Sequence, residues 1–440
     1  GIPNVEFKLK YKSEPNSLNE NWWKNILAYV QTIKAAHDVT ICQQVEWNLR
    51  NIIQLDIQNN SLNGYLYKIE RILFKIYRFR ENSVLLDMLK ECKTFFKRDK
   101  EKWIRCLVDE ATLYMDIEEF KVSKEKFEQA LESCKENSVR KEVQILVEDE
   151  YSRVLERTGH YYEAVNKLYV VEQYYQEVKN EKKLNNVKNR IGLNLSFIGD
   201  IERATEYLES LLFGNFNKKI DRNNILSCEV ANNLSLCYME AGLYKKALRL
   251  QNLLYQLYLR TQDTPVNYAT DILQNKGNIY LYEHKYYEAF KCFEQALNDE
   301  TNPYSKELIL ENYLYAKGFY ETNFEESITF FENQIRQTEM NYETCKMLAE
   351  MYFANQNYSK CAKLCKRVLN QIVYREERFI YISLDIMYMS SLKKTNKLTL
   401  RQRYSCYTRI ARYKQFIKRH VGCRSPYYRK IEECKLVLKG

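Results

Sequence analysis

The sequence predicts an all-α protein built from repeated pairs of helices. Only 5 prolines and 11 glycines occur among 440 residues, which suits long helices with short turns and argues against a β-sandwich or a doubly wound sheet. Hydrophobic residues make up 45% of the chain, and 37 tyrosines and 19 phenylalanines are enough to form a packed core. Residues 277–299, GNIYLYEHKYYEAFKCFEQALND, also place small and aromatic residues at intervals that recur elsewhere in the chain.

The recurring pattern has small and aromatic residues at fixed positions of two helices. In residues 277–299 the small residue Gly277 is followed by Tyr286, Ala289, Phe293 and Ala296. Seven segments share a small residue that opens the second helix, in turn Ser123, Ala164, Ala204, Ala247, Ala289, Ser327 and Cys361. Twelve positions earlier stand Ala111, Ser152, Gly192, Ser235, Gly277, Tyr315 and Ala349, of which only Tyr315 is large. Seven units in register are a strong signal, because a single amphipathic helix can produce the pattern by chance.

These units resemble the tetratricopeptide repeat, a pair of antiparallel helices that small residues allow to pack closely. The seven units cover about residues 100–372, and residues 62–97 are interpreted as a degenerate eighth. The resemblance implies that about seven to eight pairs stack into a right-handed superhelical solenoid with an inner groove, closed at each end by helical caps.

Three segments are predicted along the chain. Residues 1–60 form an N-terminal helical cap with helices over 19–36 and 40–58, and residues 61–372 form the repeat domain. A basic C-terminal helical cap, 373–440, is predicted to contain helices over 373–395, 399–420 and 425–438. The last of these helices begins at Ser425-Pro426, since serine is a good N-cap and proline fits the first turn.

The lack of membrane and signal segments and the cysteine usage indicate a cytoplasmic protein, and its basic residues are concentrated near the C-terminus. The net charge is +10, but residues 393–440 carry 15 Lys or Arg against two Glu, so the remaining residues sum to −3. No apolar run is long enough to cross a bilayer, and the first residues have no signal-peptide core. The 13 cysteines are odd in number and irregularly spaced, which favours reduced, buried thiols.

A row of polar residues is predicted to face the groove. The position three residues before the small residue of each first helix is, in order, Val108, Asp149, Asn189, Asn232, Gln274, Asn312 and Lys346. A carboxamide both donates and accepts hydrogen bonds, so such a row can hold the backbone of an extended peptide of any sequence. With neighbouring inward positions, the predicted peptide-binding residues are Asp149, Arg153, Asn189, Asn232, Gln274, Asn278, Asn312 and Lys346. The alternative is a polar, solvated face in a sequence rich in asparagine.

The helix predicted over residues 399–420 combines cations with aromatic residues. An acidic partner, either nucleic-acid phosphates or an acidic protein surface, is one interpretation of this pattern. The other is a solvated end cap. The predicted contacts to an acidic partner are Arg401, Arg403, Arg409, Arg412, Lys418 and Arg419.

Nothing in the sequence predicts catalysis, a cofactor or a metal site. Cys361 and Cys365 are four residues apart on a predicted helix and no CxxC exists, so both are interpreted as structural thiols. Four histidines occur, none in the spacing of a nucleophile, a base and an orienting group. No glycine-rich phosphate loop is present. The chain is therefore predicted to act by binding rather than as an enzyme.

The repeats of about 40 residues, rich in Tyr, Asn and Lys, resemble the bacterial peptide-sensing group that includes Rap, Rgg, NprR, PlcR and PrgX. The resemblance covers about residues 60–440 and rests on repeat length and composition. It implies a cytoplasmic sensor that binds a short signal peptide in its groove, with Asn189, Asn232 and Asn312 at positions where the group holds the peptide backbone. It further implies a quorum-sensing transcriptional regulator and a homodimer.

The sequence departs from this group at its N-terminus, where most members carry a helix-turn-helix that residues 1–60 do not show. DNA would then be reached through a domain that precedes residue 1, or the output would pass through a protein partner. Two alternatives stay open: a scaffold or adaptor that binds the tails of partner proteins, and a Rap-like modulator of a response regulator whose helical bundle lies within residues 19–58.

Overall fold

The computed structural model describes residues 82–217, 220–221, 224–259, 267–300, 303–337, 341–374 and 377–439. In these ranges the secondary structure is helical throughout, without a strand. This confirms the prediction of an all-α chain. The predicted N-terminal cap, including residues 19–58, and most of the degenerate repeat at 62–97 lie outside the described residues.

Helices follow one another with short turns, as few glycines and prolines predict. The described α-helices are α1 (Asn82–Phe95), α2 (Lys100–Asp116), α3 (Phe120–Glu136), α4 (Lys141–Arg157), α5 (Tyr161–Glu177), α6 (Glu181–Phe197), α7 (Ile201–Glu209), α8 (Ile225–Glu240), α9 (Tyr244–Leu259), α10 (Asn267–Tyr282), α11 (Tyr286–Asp299), α12 (Pro303–Glu321), α13 (Glu325–Gln337), α14 (Tyr342–Ala354), α15 (Tyr358–Leu369), α16 (Arg378–Lys394), α17 (Leu400–His420) and α18 (Pro426–Lys439). A 3₁₀ turn follows α1 at Phe96–Arg98, and a π-helical segment, Ser210–Asn215, extends α7. Helices α2 to α15 correspond in order to the fourteen helices of the seven predicted repeats.

The chain forms two compact units, Gly1–Thr158 and Gly159–Gly440. In the first unit α2 packs against α3 and α4, and Ser123 donates a hydrogen bond to the carbonyl of Ala111 over 2.7 Å. The second unit contains α5 to α18 and holds every helix of the candidate site described below.

The small residues of the repeat are buried where the two helices of a pair approach each other. A Cβ added at Gly277 would lie 2.6 Å from the ring of Phe293, whose side chain is completely buried. A Cβ at Gly192 would lie 2.8 Å from Leu208. Both distances are shorter than van der Waals contact, so these first helices need glycine to pack against the bulky residue of the second helix.

The turn inside each repeat uses a residue with left-handed backbone geometry five positions before the small residue of the second helix. These residues are Glu118, Gly159, Gly199, Gly242, His284, Thr322 and Gln356, with φ between 54° and 84°. Such residues close a helix C-terminus by letting the following amides bond back to the last carbonyls; Asp200 N, for example, donates to Leu195 O over 2.9 Å. The shared position shows that one turn geometry is repeated, although only three of the seven residues are glycine.

The boundaries of α17 and α18 lie within one residue of the predicted ones, and α16 begins five residues later than predicted. Ser425 accepts a hydrogen bond from the amide of Tyr427 over 3.2 Å, as expected of an N-cap that precedes a first-turn proline. The loop before α18 contacts the turn of an earlier repeat, because a Cβ at Gly242 would lie 2.1 Å from the carbonyl oxygen of Arg424. The last helix therefore folds back onto the repeats of its own unit.

Candidate functional site

A cavity of about 930 Å³ lies in the second unit, between the first helices of successive repeats and the C-terminal helices. One wall is formed by α8, α10, α12 and α14, and the opposite wall by α16 and α18. This size is typical of pockets that hold small molecules or short peptides. The second helix α11 also contributes to this lining, through Tyr286.

Carboxamides and apolar side chains both line the repeat wall. The carboxamides that line the cavity are Asn232, Gln274, Asn275, Asn278, Asn312 and Asn341. Met239, Leu281, Phe319 and Phe353 of the same four helices also line it. Hydrogen-bonding groups thus lie beside apolar surface, a composition that grooves for extended peptides share.

Asn232 is held in place by two neighbouring carboxamides. Its Oδ1 accepts a hydrogen bond from Gln251 Nε2 over 2.9 Å and another from Asn275 Nδ2 over 2.8 Å. Both bonds use the carbonyl oxygen, so the side chain is fixed in orientation while its Nδ2 keeps its donor capacity. A fixed donor loses little conformational entropy when a ligand binds.

Asn189 does not line this cavity. Its side chain is 7% exposed, and its Oδ1 accepts a hydrogen bond from Asn233 Nδ2 over 3.1 Å. Outside the cavity, the predicted row thus contributes a hydrogen bond between the neighbouring helices α6 and α8. Asp149 and Arg153 belong to the first unit and do not line the cavity either; Arg153 Nε is 3.5 Å from Glu150.

Lys346, the last residue of the predicted row, is buried in the cavity wall and paired with acids. It donates a hydrogen bond to Glu343 Oε1. Burial disfavours its ammonium, but Glu343, Tyr282 and Glu350 raise its pKa above the usual lysine value. The cavity wall therefore holds a permanent positive charge that acidic side chains already compensate.

Glu350 connects the repeat wall to the C-terminal helix. Its Oε2 accepts a hydrogen bond from the Tyr315 hydroxyl over 2.7 Å, and its Oε1 accepts one from Lys430 Nζ, also over 2.7 Å. Burial opposes its charge, but Lys430, Lys346 and the Tyr315 hydroxyl lower its pKa to about 2. The carboxylate is therefore ionised at any physiological pH and joins α12, α14 and α18.

Three polar side chains form a second link behind the cavity. The Tyr282 hydroxyl lies 3.3 Å from Glu240 Oε1 and 3.0 Å from the Tyr427 hydroxyl. Tyr427 stacks on Phe379 with ring centroids 4.3 Å apart. Burial raises the pKa of Glu240 to about 7, because the carboxylate loses hydration and its Oε2 finds no hydrogen-bond partner among the described residues.

The wall formed by α18 is not apparent from the repeat pattern. Pro426, Tyr427, Lys430, Glu433, Cys434 and Val437 of this helix line the cavity. Their spacing of three and four residues is that of one helix face, which is a signal in the sequence, although it does not identify the surface that this face covers.

The cations of α17 divide into paired and exposed groups. Arg409 Nη1 lies 2.5 Å from the buried Asp385, so this predicted contact residue holds α17 against α16. Lys414 pairs with Glu432 over 2.6 Å. Arg401, Arg412, Lys418 and Arg419 are exposed, and Arg403 is half-buried.

Other chemistry finds no support in the described part of the chain. No group of three or more His, Cys, Asp or Glu side chains there is arranged to hold a metal ion. Cys361 and Cys365 lie with their sulfurs 3.9 Å apart and are fully buried, as expected of structural thiols. None of the described helices combines the length and apolarity that a membrane span requires.

Comparison with solved structures shows what the chain resembles. No protein-family model matches the sequence, and no curated protein matches it. The apo form of the quorum sensor NprR from B. thuringiensis superimposes with a TM-score of 0.54 at 15% sequence identity, over 79% of this chain and 98% of that one. The fold resembles that of NprR.

Two further structures give weaker matches. NprR in complex with its cognate peptide NprX has a TM-score of 0.48 at 14% identity, over 78% of this chain and 99% of that one. A Rap protein complexed with competence and sporulation factor has a TM-score of 0.47 at 15% identity, over 85% of this chain and 98% of that one. At these identities each likeness concerns the fold alone.

Proposed function

We propose that the protein is a peptide sensor that binds a short, extended peptide in the cavity of its second unit. The observation that carries this proposal is the row Asn232, Gln274 and Asn312 along successive first helices, all lining one cavity. Main-chain amides and carbonyls of an extended peptide repeat at regular intervals, so carboxamides on successive helices match a backbone rather than a compact small molecule. The fold similarity to NprR, a quorum sensor, supports this reading.

The shape of the site limits the peptide to a short one. A cavity of about 930 Å³ corresponds to a few residues, and its wall from α18 restricts passage along the groove. Apolar surface from Met239, Leu281 and Phe319 would accept aliphatic or aromatic side chains of the peptide. Lys346 stays paired with Glu343, so it would help to orient the peptide rather than offer an unpaired charge to it.

The first step of the test is to recover peptides that co-purify with the protein from its native host and identify them by mass spectrometry. Binding of the synthetic peptide is then measured by calorimetry for the wild type, for Asn312→Ala and for Gln274→Ala. Each variant should weaken binding about 5-fold, because a hydrogen bond to a neutral partner contributes about 1 kcal/mol.

The matched control is Asn298→Ala, which removes an exposed carboxamide of α11 outside the cavity. Its affinity should equal that of the wild type. Unchanged affinity in both cavity variants would reject the carboxamide mechanism, and a peptide that binds Asn298→Ala as weakly as the cavity variants would point to a different surface.

We further propose that the chain acts as the ligand-binding part of a homodimeric transcriptional regulator, with DNA contacts made by another domain or through a protein partner. The support is the NprR-like fold. Light scattering of the purified chain with and without the co-purified peptide tests the oligomeric state. A monomer in both conditions would favour the alternatives, a scaffold for partner tails or a Rap-like modulator.

A further inference from the structure

We propose that the exposed face of α17 binds the phosphate backbone of a double-stranded nucleic acid, independently of the peptide cavity. Helix α17 carries seven Lys or Arg and no Asp or Glu. Two of these cations form ion pairs with acidic side chains of the same chain, Arg409 with Asp385 and Lys414 with Glu432. The other five form no ion pair within the described residues, and four of them are exposed.

Helix stability does not account for the cations at the start of α17. Arg401 and Arg403 lie in its first turn, which contains no acidic residue. The N-terminus of a helix carries partial positive charge, so each cation there costs a few tenths of a kcal/mol and an acid would be favoured. Lys418 and Arg419 lie in the last turn, where the same effect favours them. The two arginines of the first turn therefore need a reason outside the helix.

Three exposed arginines lie along one line on the helix surface. Arg401, Arg412 and Arg419 are separated by 11 and 7 residues, close to whole numbers of turns at 3.6 residues each. They span about 27 Å at 1.5 Å per residue. Ser405, Gln415 and the highly exposed Tyr404 lie close to the same line. All of these side chains can donate hydrogen bonds, as side chains that contact phosphates do.

This distribution of charge fits a nucleic acid better than an acidic protein. The charge is spread along about 27 Å without an intervening carboxylate, which complements a partner whose negative charge is equally continuous, such as a duplex backbone. Arginine also binds phosphate through two parallel hydrogen bonds, and arginine outnumbers lysine on the exposed face. Contacts to phosphates carry no sequence information, so we infer binding without sequence preference.

Fluorescence anisotropy with a labelled 20-base-pair duplex of arbitrary sequence, between 50 and 200 mM NaCl, tests the proposal. Three phosphate contacts predict a slope of about −2.7 for the logarithm of the binding constant against the logarithm of salt concentration. Each of three single variants should make this slope shallower by about 0.9, because one phosphate contact is lost. The variants are Arg401→Ala, Arg412→Ala and Arg419→Ala. The triple variant should lose salt-dependent binding, and circular dichroism verifies that it stays folded.

The matched control removes three exposed lysines from other helices: Lys182→Ala, Lys245→Ala and Lys306→Ala together. It lowers the net charge by the same amount as the triple arginine variant but should keep wild-type binding. Equal loss in both triple variants would attribute binding to net charge and overturn the proposal, as would absence of binding at 50 mM NaCl. Displacement of the duplex by polyglutamate at equal charge concentration would instead identify an acidic protein as the partner.

Discussion

Lys430 of α18 donates a hydrogen bond to Glu350 of α14 over 2.7 Å, and this contact joins the last helix to the repeat wall of the cavity. The two residues are 80 positions apart in the sequence. Glu350 is mostly buried and keeps its charge because Lys430, Lys346 and the Tyr315 hydroxyl surround it. The contact therefore links closure of the candidate site to the stability of the C-terminal helix.

Replacement of this lysine should loosen α18. Lys430→Ala leaves the Glu350 carboxylate with one cation fewer in a buried position, and we expect a loss of about 2 kcal/mol in the free energy of unfolding. Hydrogen exchange should become faster in residues 426–439 before it changes elsewhere. Lys439→Ala, which removes an exposed lysine of the same helix, should change neither quantity. Equal effects of the two variants would contradict a specific role of the Lys430–Glu350 pair.

The neighbouring Glu240 predicts a pH dependence of stability. Burial raises its pKa from 4.5 to about 7, so the folded chain binds this proton more tightly than the unfolded chain. The group's stabilising contribution is therefore fully present below about pH 4.5 and is lost as the pH rises through 7. Between pH 5 and pH 8 the loss amounts to about 2 kcal/mol.

The contribution of Glu240 is measured as a difference, because other groups also titrate. Free energies of unfolding in urea at pH 5 and pH 8 are compared between the wild type and Glu240→Gln, which mimics the neutral form. The decrease in the free energy of unfolding from pH 5 to pH 8 should be smaller in the variant than in the wild type by about 2 kcal/mol. Glu288→Gln, at an exposed position of α11, should keep the full wild-type dependence. A Glu240→Gln profile parallel to that of the wild type would show that this carboxyl does not titrate near neutrality.

The sequence predicts most of the repeat architecture because the period lies in residues that must be small. Ala164, Ala204 and Ala289 are completely buried, and a larger residue there would prevent the helix pair from closing. Sequence spacing alone also selects Asn232, Gln274 and Asn312 for the groove, since positions at fixed distance from the small residue share one helix face.

Whether other residues line the cavity or are exposed depends on contacts between segments that are distant in the sequence, and the repeat period does not determine those contacts. Asn189 occupies the same repeat position as Asn232, and each accepts a hydrogen bond from a carboxamide of the next first helix. Only Asn232 lines the cavity, whereas Asn189 is buried. The sequence pattern predicts that Arg409 contacts an acidic partner, but Arg409 donates a hydrogen bond to Asp385 of α16. The covering of the cavity by α18 requires a chain reversal between residues 420 and 426 that no local pattern predicts.

The repeated left-handed turn predicts a stabilising substitution. Thr322 adopts φ of 54°, although a β-branched side chain is strained in this region, and the equivalent position is glycine in three other repeats. Thr322→Gly should raise the free energy of unfolding by about 1 kcal/mol, the strain relief less the entropy that glycine costs. Thr329→Gly, at an exposed position inside α13, should instead lower it by a few tenths of a kcal/mol. The midpoints of thermal unfolding of the two variants should thus shift in opposite directions. Destabilisation by both substitutions would contradict a strained backbone at Thr322.

A glycine of the same turn tests how firmly the C-terminal loop contacts the repeats. Gly242 and Gly159 have nearly equal φ, 76° and 75°, but a Cβ at Gly242 would lie 2.1 Å from the Arg424 carbonyl oxygen, whereas one at Gly159 would meet nothing within 4 Å. Gly159→Ala should therefore cost only the backbone strain, about 1 kcal/mol. Gly242→Ala adds displacement of the loop before α18, and we expect at least twice the loss in thermal unfolding, with faster hydrogen exchange at residues 421–425. If the two variants lose the same stability, the loop does not rest against this turn in solution.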